Sequence, residues 1–276
     1  MFWLSTHPKE IRLLKNEMVS ILMPCFNSEE YIERAITSVV SQSYDRWELL
    51  ICDDGSSDSS YEIAAKWAAR DERIIALKNN RNKGAAGARN TCLNVARGRY
   101  ITFLDSDDFW HKSKLKKQIA YMKSFGCPFS YSYYDVIDES GMFLHTIKTP
   151  QELSLKHLSV SNFIPCLTVI YDSFILGKVE QPNIKKRNDF ALWLKIFHKS
   201  DFTIASCIPE SLASYRQNSY GLSSDKKDAL KYFTLCLIRY GKHSRLSSLF
   251  LSGVYLVIVL VKKKLPALYN WAVVKL

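Results

Sequence analysis

Between Val19 and Leu104 the sequence alternates short apolar runs with stretches of helical periodicity, and that alternation restricts the fold more than any other feature of the chain. Residues 19–23 read as a strand ending at Pro24. Asn27, with Glu30 after it, makes a capping signal, and Ile32, Ala35, Ile36, Val39 and Val40 then line one face of a helix. Residues 47–52 read as a second strand, closed by Asp53-Asp54-Gly55-Ser56, and Ser57 or Asp58 is placed to cap a helix carrying Ile63, Ala64 and Trp67. A strand over 74–77, a helix over 85–96 and a strand over 100–104 continue the pattern. Strands alternating with helices of this length imply right-handed crossovers, so the expected class is α/β, a doubly wound parallel sheet with helices on both faces. Ligands of such sheets bind beyond the carboxyl ends of the strands.

The last of these strands runs into Asp105-Ser106-Asp107-Asp108. Acids packed this closely repel one another unless a cation or several donors face them. Asp105 and Asp107 alternate on an extended backbone, so their side chains point the same way. They could share a hard divalent ion, with Mg²⁺ or Mn²⁺ suiting the oxygen donors better than Zn²⁺, since no His or Cys lies close by. A turn whose Asp residues cap the next helix reads the tetrad equally well in isolation. The loops Pro24-Cys25-Phe26-Asn27 and Asp53-Asp54-Gly55-Ser56 also follow strands, however, and their convergence with the tetrad on one sheet edge favours a site. Asn82-Lys83-Gly84-Ala85-Ala86-Gly87-Ala88-Arg89-Asn90 opens a helix with small residues, where backbone can approach a ligand and Arg89 could meet a phosphate. The same residues also suit close helix packing alone.

A chain of 276 residues, 47% hydrophobic and 24% charged, holds one large domain or a domain with an appendage. Its seven cysteines are dispersed without Cys-x-x-Cys pairing, which argues for small buried hydrophobes in a reducing compartment rather than disulfides or zinc. No His-Glu-x-x-His or Gly-x-Ser-x-Gly occurs, and residues 1–17 lack the apolar run of a signal peptide. The net charge of +11 is concentrated at the end: from residue 226 onward ten Lys or Arg face one acid, Asp228. A nucleic-acid partner is opposed on physical grounds, because the basic residues lie beside apolar ones while the sheet-edge loops are acidic.

In order and spacing, these segments resemble glycosyltransferase family 2, inverting nucleotide-sugar-dependent enzymes with the GT-A fold, a mixed doubly wound sheet. The resemblance spans about residues 18–224 and rests on Val19-Ser20-Ile21-Leu22-Met23-Pro24-Cys25-Phe26-Asn27, Asp53-Asp54-Gly55-Ser56-Ser57-Asp58, the stretches 84–90 and 98–110, Asn188-Asp189 and Tyr215-Arg216. It implies that Pro24, Phe26 and Asn27 line a nucleobase pocket, with Phe26 lacking the hydroxyl of the more usual Tyr. It implies that Asp54, with Asp53, holds base or ribose, that Arg89 and Asp105 contribute to nucleotide binding, and that Asp105 and Asp107 hold Mn²⁺ or Mg²⁺ against the diphosphate. Asp189 is implied as the general base that deprotonates the acceptor hydroxyl, although an Asp ahead of Phe190 and Trp193 also suits a helix N-cap. Arg216 is implied as a phosphate contact, and Asn218 stands where many relatives carry a His. Gln-x-x-Arg-Trp, the mark of processive members, is absent, so one sugar per acceptor is expected.

The implied activity is a metal-dependent inverting hexosyl- or N-acetylhexosaminyl transfer, UDP-sugar being the commonest donor in the family, in surface polysaccharide biosynthesis. A non-catalytic nucleotide-sugar- or glycan-binding protein on the same fold is the rival reading, opposed by the joint presence of Asp105, Asp107 and Asp189. After residue 224 the pattern changes to a helical, basic and apolar tail, 225–276, in which 246–261 carries no charge and Lys262-Lys263-Lys264 follows. This run is shorter than the roughly 20 residues that span a bilayer, and with Tyr269 and Trp271 beyond it the tail suits the headgroup boundary. Packing of a helical pair on the domain is the competing reading. The expectation is a cytoplasmic enzyme, peripheral on the inner face of the membrane, whose glycan acceptor rides on a polyprenyl diphosphate.

Overall fold

A computed structural model describes residues 17–81, 83–199, 204–217, 226–265, 268–269 and 272–273; most of the N-terminal extension, Asn82, Asn218 and Trp271 lie outside the described residues. Strands β1 (Val19–Cys25), β2 (Trp47–Asp53), β3 (Ile74–Lys78) and β4 (Tyr100–Phe103) run parallel in the order β3-β2-β1-β4. The connecting helices are α1 (Ile32–Val40), α2 (Ser60–Ala68) and α3 (Ala85–Val95). Strand order reverses between β1 and β4, which makes a topological switch point at their carboxyl ends.

The strand–helix alternation of the first half gives these parallel pairs, and beyond β4 the sheet becomes mixed, as the GT-A resemblance implies. After β5 (Phe109–Trp110) and α4 (Lys114–Phe125) come β6 (Phe129–Ile137), β7 (Phe143–Ile147) and β8 (Glu152–Leu153). No helix separates β6 from β7: Gly141 N–H donates to Asp138 O at 3.0 Å, and a tight reversal allows only antiparallel pairing. Then α5 (Leu155–Val160), β9 (Ile170–Asp172), α6 (Ser173–Leu176), α7 (Asn188–Lys199) and β10 (Ala205–Arg216) follow. β9 is antiparallel to both β4 and β6, and β10 is parallel to β6.

Period-two alternation distributes the strand side chains between two helical layers. Ile21, Met23, Leu49 and Ile51 pack with Ile32, Ile36 and Val39 of α1 and Leu115 and Ile119 of α4. Leu22, Leu50, Ile101 and Phe103 pack with Ala88 and Cys92 of α3 and Phe190, Trp193 and Phe197 of α7. All seven cysteines are buried and unpaired. Gly98 is required by a close approach: a Cβ there would lie 2.6 Å from Ser20 N and 2.7 Å from Met18 O.

Two capping expectations are corrected. Asn27 does not cap α1; it has φ 45° and its Oδ1 accepts the Ser57 N–H at 2.9 Å, while α1 starts after Tyr31 with no side-chain cap. Neither Ser57 nor Asp58 is the N-cap of α2: Ser59 holds that position without a side-chain cap, and Asp58 Oδ1 accepts the Ser60 N–H at 3.0 Å.

The basic tail is not detached. Helices α8 (Lys226–Arg239) and α9 (Arg245–Lys264) join the main core through Phe233, Cys236 and Leu237. The Phe233 ring stacks between Phe190 at 5.0 Å and Tyr255 at 4.4 Å. The opposite side of α9 leaves Leu246, Leu249, Phe250, Val257 and Leu260 exposed. Among the described residues no helix is long and apolar enough to cross a membrane.

One buried cation burdens this fold. Lys114 is fully buried, its Nζ has no hydrogen-bond partner among the described residues, and burial holds its pKa well below the usual lysine value. Between the folded and unfolded pKa values the folded protein binds fewer protons than the unfolded chain, so this contribution to stability is smallest below the folded value and recovers as pH rises toward the unfolded value of about 10.4. Lys114→Met is predicted to raise stability by about 1–3 kcal/mol near pH 7, and by less near pH 10, as measured by thermal and denaturant unfolding.

Candidate active site

The loops at the carboxyl ends of β1, β2 and β4 are laced together by hydrogen bonds. Ser28 Oγ and Ser106 Oγ lie 2.8 Å apart, Ser28 N–H donates to Ser60 Oγ at 2.7 Å, and Asn27 N–H donates to Ser56 Oγ at 3.0 Å. Pro24 is buried within β1, whereas the Phe26 ring is 57% exposed at the rim. The two loop acids differ in use. Asp53 is buried and accepts the Gly55 and Ser56 N–H groups at 3.0 and 3.1 Å, so it shapes its own turn. Asp54 reaches outward to Asn79 Nδ2 and Gly84 N, each at 2.6 Å, and ties this turn to the start of α3. Gly84 has φ 102°, a conformation in which a glycine is unstrained.

Arg89, expected at a phosphate, is engaged by partners within the protein. It is 5% exposed, forms an ion pair with the partly exposed Asp105 Oδ1, and donates from Nη1 to Gln181 Oε1 at 3.2 Å. Burial pulls the guanidinium pKa down, and the charge and hydrogen bond of Asp105, with Cys166 and Asp189 behind it, more than offset that pull, so the net shift is upward. Gln181 Nε2 then donates to Asn188 Oδ1 at 3.2 Å. A single chain of contacts thus runs from Asp105 through Arg89 and Gln181 to the residue preceding Asp189.

Asp189 lies in the first turn of α7 but is not its cap, because the Ala191 N–H donates to Arg187 O at 3.0 Å. Its Oδ2 accepts Asn162 Nδ2 at 2.8 Å. Asp189 and the β4 acids occupy one region. The Tyr215 phenol, pushed up to about 12 first by burial, also feels the charges of Asp108, Asp107, Asp105 and Asp189. The Cys166 thiol, raised chiefly by burial, senses Arg89, Asp189, Asp105 and Asp108.

Arg216, expected at a phosphate, is likewise 3% exposed and braces the acidic loop instead. Its Nε donates to Asp107 O at 3.0 Å, its Nη1 to Asp138 O at 3.1 Å and Glu139 O at 2.6 Å, and its backbone N–H to Asp108 Oδ1 at 2.8 Å. Burial, and then the charges of Asp107 and Asp105, raise the Asp108 carboxyl well above the usual range. Asp105 and Asp107 are partly exposed. Among the described residues no three His, Cys, Asp or Glu side chains converge. Two carboxylates without a third protein ligand suit Mg²⁺ or Mn²⁺, whose remaining positions are commonly filled by substrate phosphates and water, better than a closed protein cage.

Beside Asp189 opens a cavity of about 200 Å³ whose walls include Lys148, Asn162, Arg187, Tyr255 and Ile258. Sequence patterns gave no indication of Gln181, Asn162 or Arg187, since none lies in a periodic apolar element or a recurrent polar motif.

The family model "Glycosyl transferase family 2" matches residues 20–175. The chain is 39% identical over 214 residues to the UDP-Glc:alpha-D-GlcNAc-diphosphoundecaprenol beta-1,3-glucosyltransferase WfgD of Escherichia coli, covering 78% of this chain and 83% of the relative. Among solved structures, S. aureus TarS in complex with UDP-GlcNAc superposes with a TM-score of 0.67 at 19% identity, over 87% of this chain and 71% of that one. The mannosyltransferase PcManGT of Pyrobaculum calidifontis, in complex with GDP-Man and Mn²⁺, superposes with a TM-score of 0.62 at 14% identity, over 92% of this chain and 78% of that one. Both structural likenesses are likenesses of fold.

Proposed function

Because the chain belongs to glycosyltransferase family 2, we propose that it transfers one sugar from a nucleotide-diphospho-sugar, a UDP-sugar by preference, to a hydroxyl of a glycan carried on a polyprenyl diphosphate, with inversion at the anomeric carbon. The observation that carries this reading is the contact chain from Asp105 through Arg89 and Gln181 to Asn188, beside Asp189. A donor-side acid and an acceptor-side base are thereby tied to one framework. The name of WfgD, which gives UDP-Glc as donor and a diphosphoundecaprenol-linked GlcNAc as acceptor, supports the choice of substrate classes.

In this reading the exposed Phe26 ring packs on the nucleobase above buried Pro24. Asp54 faces the ribose; both of its oxygens already accept an N–H, and each keeps a second lone pair for a hydroxyl. Asn27, Asp53 and Arg89 act on the nucleotide indirectly, the first two by shaping the loops and Arg89 by orienting Asp105. A divalent cation, Mn²⁺ or Mg²⁺, held by Asp105 and Asp107 would neutralise the departing diphosphate. Arg216 fixes the backbone that carries Asp107. Asp189, oriented by Asn162, takes the proton of the acceptor hydroxyl as that oxygen attacks the face opposite the diphosphate. Asp189→Asn keeps the shape and removes the base, so transfer is predicted to fall by at least about 100-fold, with nucleotide affinity, measured by calorimetry, within about twofold of the parent. Full transfer by this variant would refute the assignment of the base.

The exposed apolar side of α9, flanked by Arg245 and Lys264, supports peripheral contact with an anionic bilayer on the cytoplasmic side, where basic and apolar residues act together. Since Phe233 and Tyr255 bind this helix pair to the core, deleting the tail would damage the fold, and point substitutions on the outer side are the cleaner probe. Leu249→Glu with Phe250→Glu is predicted to reduce sedimentation with anionic vesicles by about 10-fold or more while leaving the melting temperature within a few degrees. Unchanged vesicle binding would remove α9 from the membrane contact.

A further inference from the structure

The cavity beside Asp189 has a chemistry that the transfer reaction by itself does not demand. It contains one carboxylate, Asp189, and two cations, Lys148 and Arg187, neither of which has a carboxylate within ion-pair distance among the described residues. A site meant only for neutral sugar hydroxyls has no use for that excess of positive charge, whereas an anion would complete it. Arg187 is held for such a task. Its Nε donates to Ala229 O at 2.9 Å, its Nη2 to Tyr255 Oη at 2.5 Å, and its guanidinium lies 5.0 Å from the Tyr255 ring centroid. Its backbone has φ 60°, an uncommon conformation outside glycine, kept at the residue that opens the helix bearing Asp189.

The opposite wall is apolar and belongs to the C-terminal helix. Tyr255, Ile258 and Val259 of α9 face the cavity, while Val257 and Leu260 of the same helix are exposed on the outside. At about 200 Å³ the space equals roughly six or seven waters, enough for a diphosphate and the first carbons attached to it but too small for a whole prenyl chain. A chain attached to that phosphate would therefore leave the cavity along α9.

Resting on the acceptor reading above, we infer that this cavity is the subsite for the acceptor's prenyl diphosphate, with Lys148 and Arg187 pairing with its phosphate oxygens and Tyr255, Ile258 and Val259 receiving the first carbons of its chain. The cationic pair then places the sugar hydroxyl toward Asp189, and α9 serves as both the cavity wall and the side turned to lipid.

The test measures binding of farnesyl diphosphate, farnesol and inorganic pyrophosphate by calorimetry with EDTA present, to the full chain and to Lys148→Glu. Lys148 is exposed, so this variant retains the fold; Arg187→Gln is the second variant, checked by its melting temperature because Arg187 also braces α8 and α9. The expected result is that farnesyl diphosphate binds at least 10-fold more tightly than either fragment, that each variant weakens it at least 10-fold, and that saturating UDP does not displace it. Equal binding by the parent and Lys148→Glu, or complete displacement by UDP, would overturn the subsite. This outcome is independent of Asp189: a failed base assignment with intact prenyl diphosphate binding would leave the subsite standing, and the reverse would leave the transferase standing without it.

Discussion

A guanidinium buried at the carboxyl edge of the sheet is the constraint on which the cleft depends. Removing a charge from water costs several kcal/mol unless partners replace the lost solvation, so Arg89 can persist only where Asp105 and Gln181 meet it. That requirement fixes three segments remote in sequence: the start of α3, the loop after β4, and the stretch leading into α7. Asn90 adds to it, exchanging hydrogen bonds with the Gln181 backbone at 2.8 and 2.9 Å. The position of Asp189 relative to Asp105 is therefore a consequence of satisfying one buried cation, and the chemistry of the cleft inherits the rigidity of that arrangement.

A second cation repeats the device on the other side of the acidic loop. Arg216 donates to the carbonyls of Asp107, Asp138 and Glu139, and its own N–H engages Asp108. The repulsion expected among the clustered acids is thus relieved in three ways. Asp105 has Arg89, burial raises the Asp108 carboxyl toward its neutral form, and Asp107 is partly exposed. In the proposed reaction, electrostatic preorganisation of this kind would cost little rearrangement on binding a diphosphate and its cation.

The parallel half of the fold was legible in the sequence because each of its strands is a compact apolar run next to a helix with clear periodicity; Trp47–Asp53 and Ile32–Val40 are examples. The sheet-edge loops were legible for the same reason, since a strand end locates whatever follows it. Side-chain partners were not. Asn27 carries the residue type of a helix cap, yet a left-handed backbone turns it toward Ser57, and Arg89 and Arg216 carry the residue type of phosphate ligands, yet both are buried against the protein itself. Pairings such as Arg89 with Gln181 join positions separated by 92 residues, and no local pattern encodes them. The C-terminal helices show a related ambiguity. A run as apolar as that of α9 fits a lipid-facing surface or a packed helix, and the helix does pack by one face, through Tyr255, while exposing Leu249 and Phe250 on another.

The proposed reaction requires the β4-edge carboxylates and Asp189 to share one cleft around one diphosphate. Anomalous scattering from crystals grown with Mn²⁺ and UDP addresses this directly. The predicted result is a manganese peak bound by Asp107 or Asp105 and by the diphosphate oxygens, with the open end of the diphosphate directed toward Asp189. A peak away from both β4 acids, or a diphosphate directed away from residue 189, would contradict it.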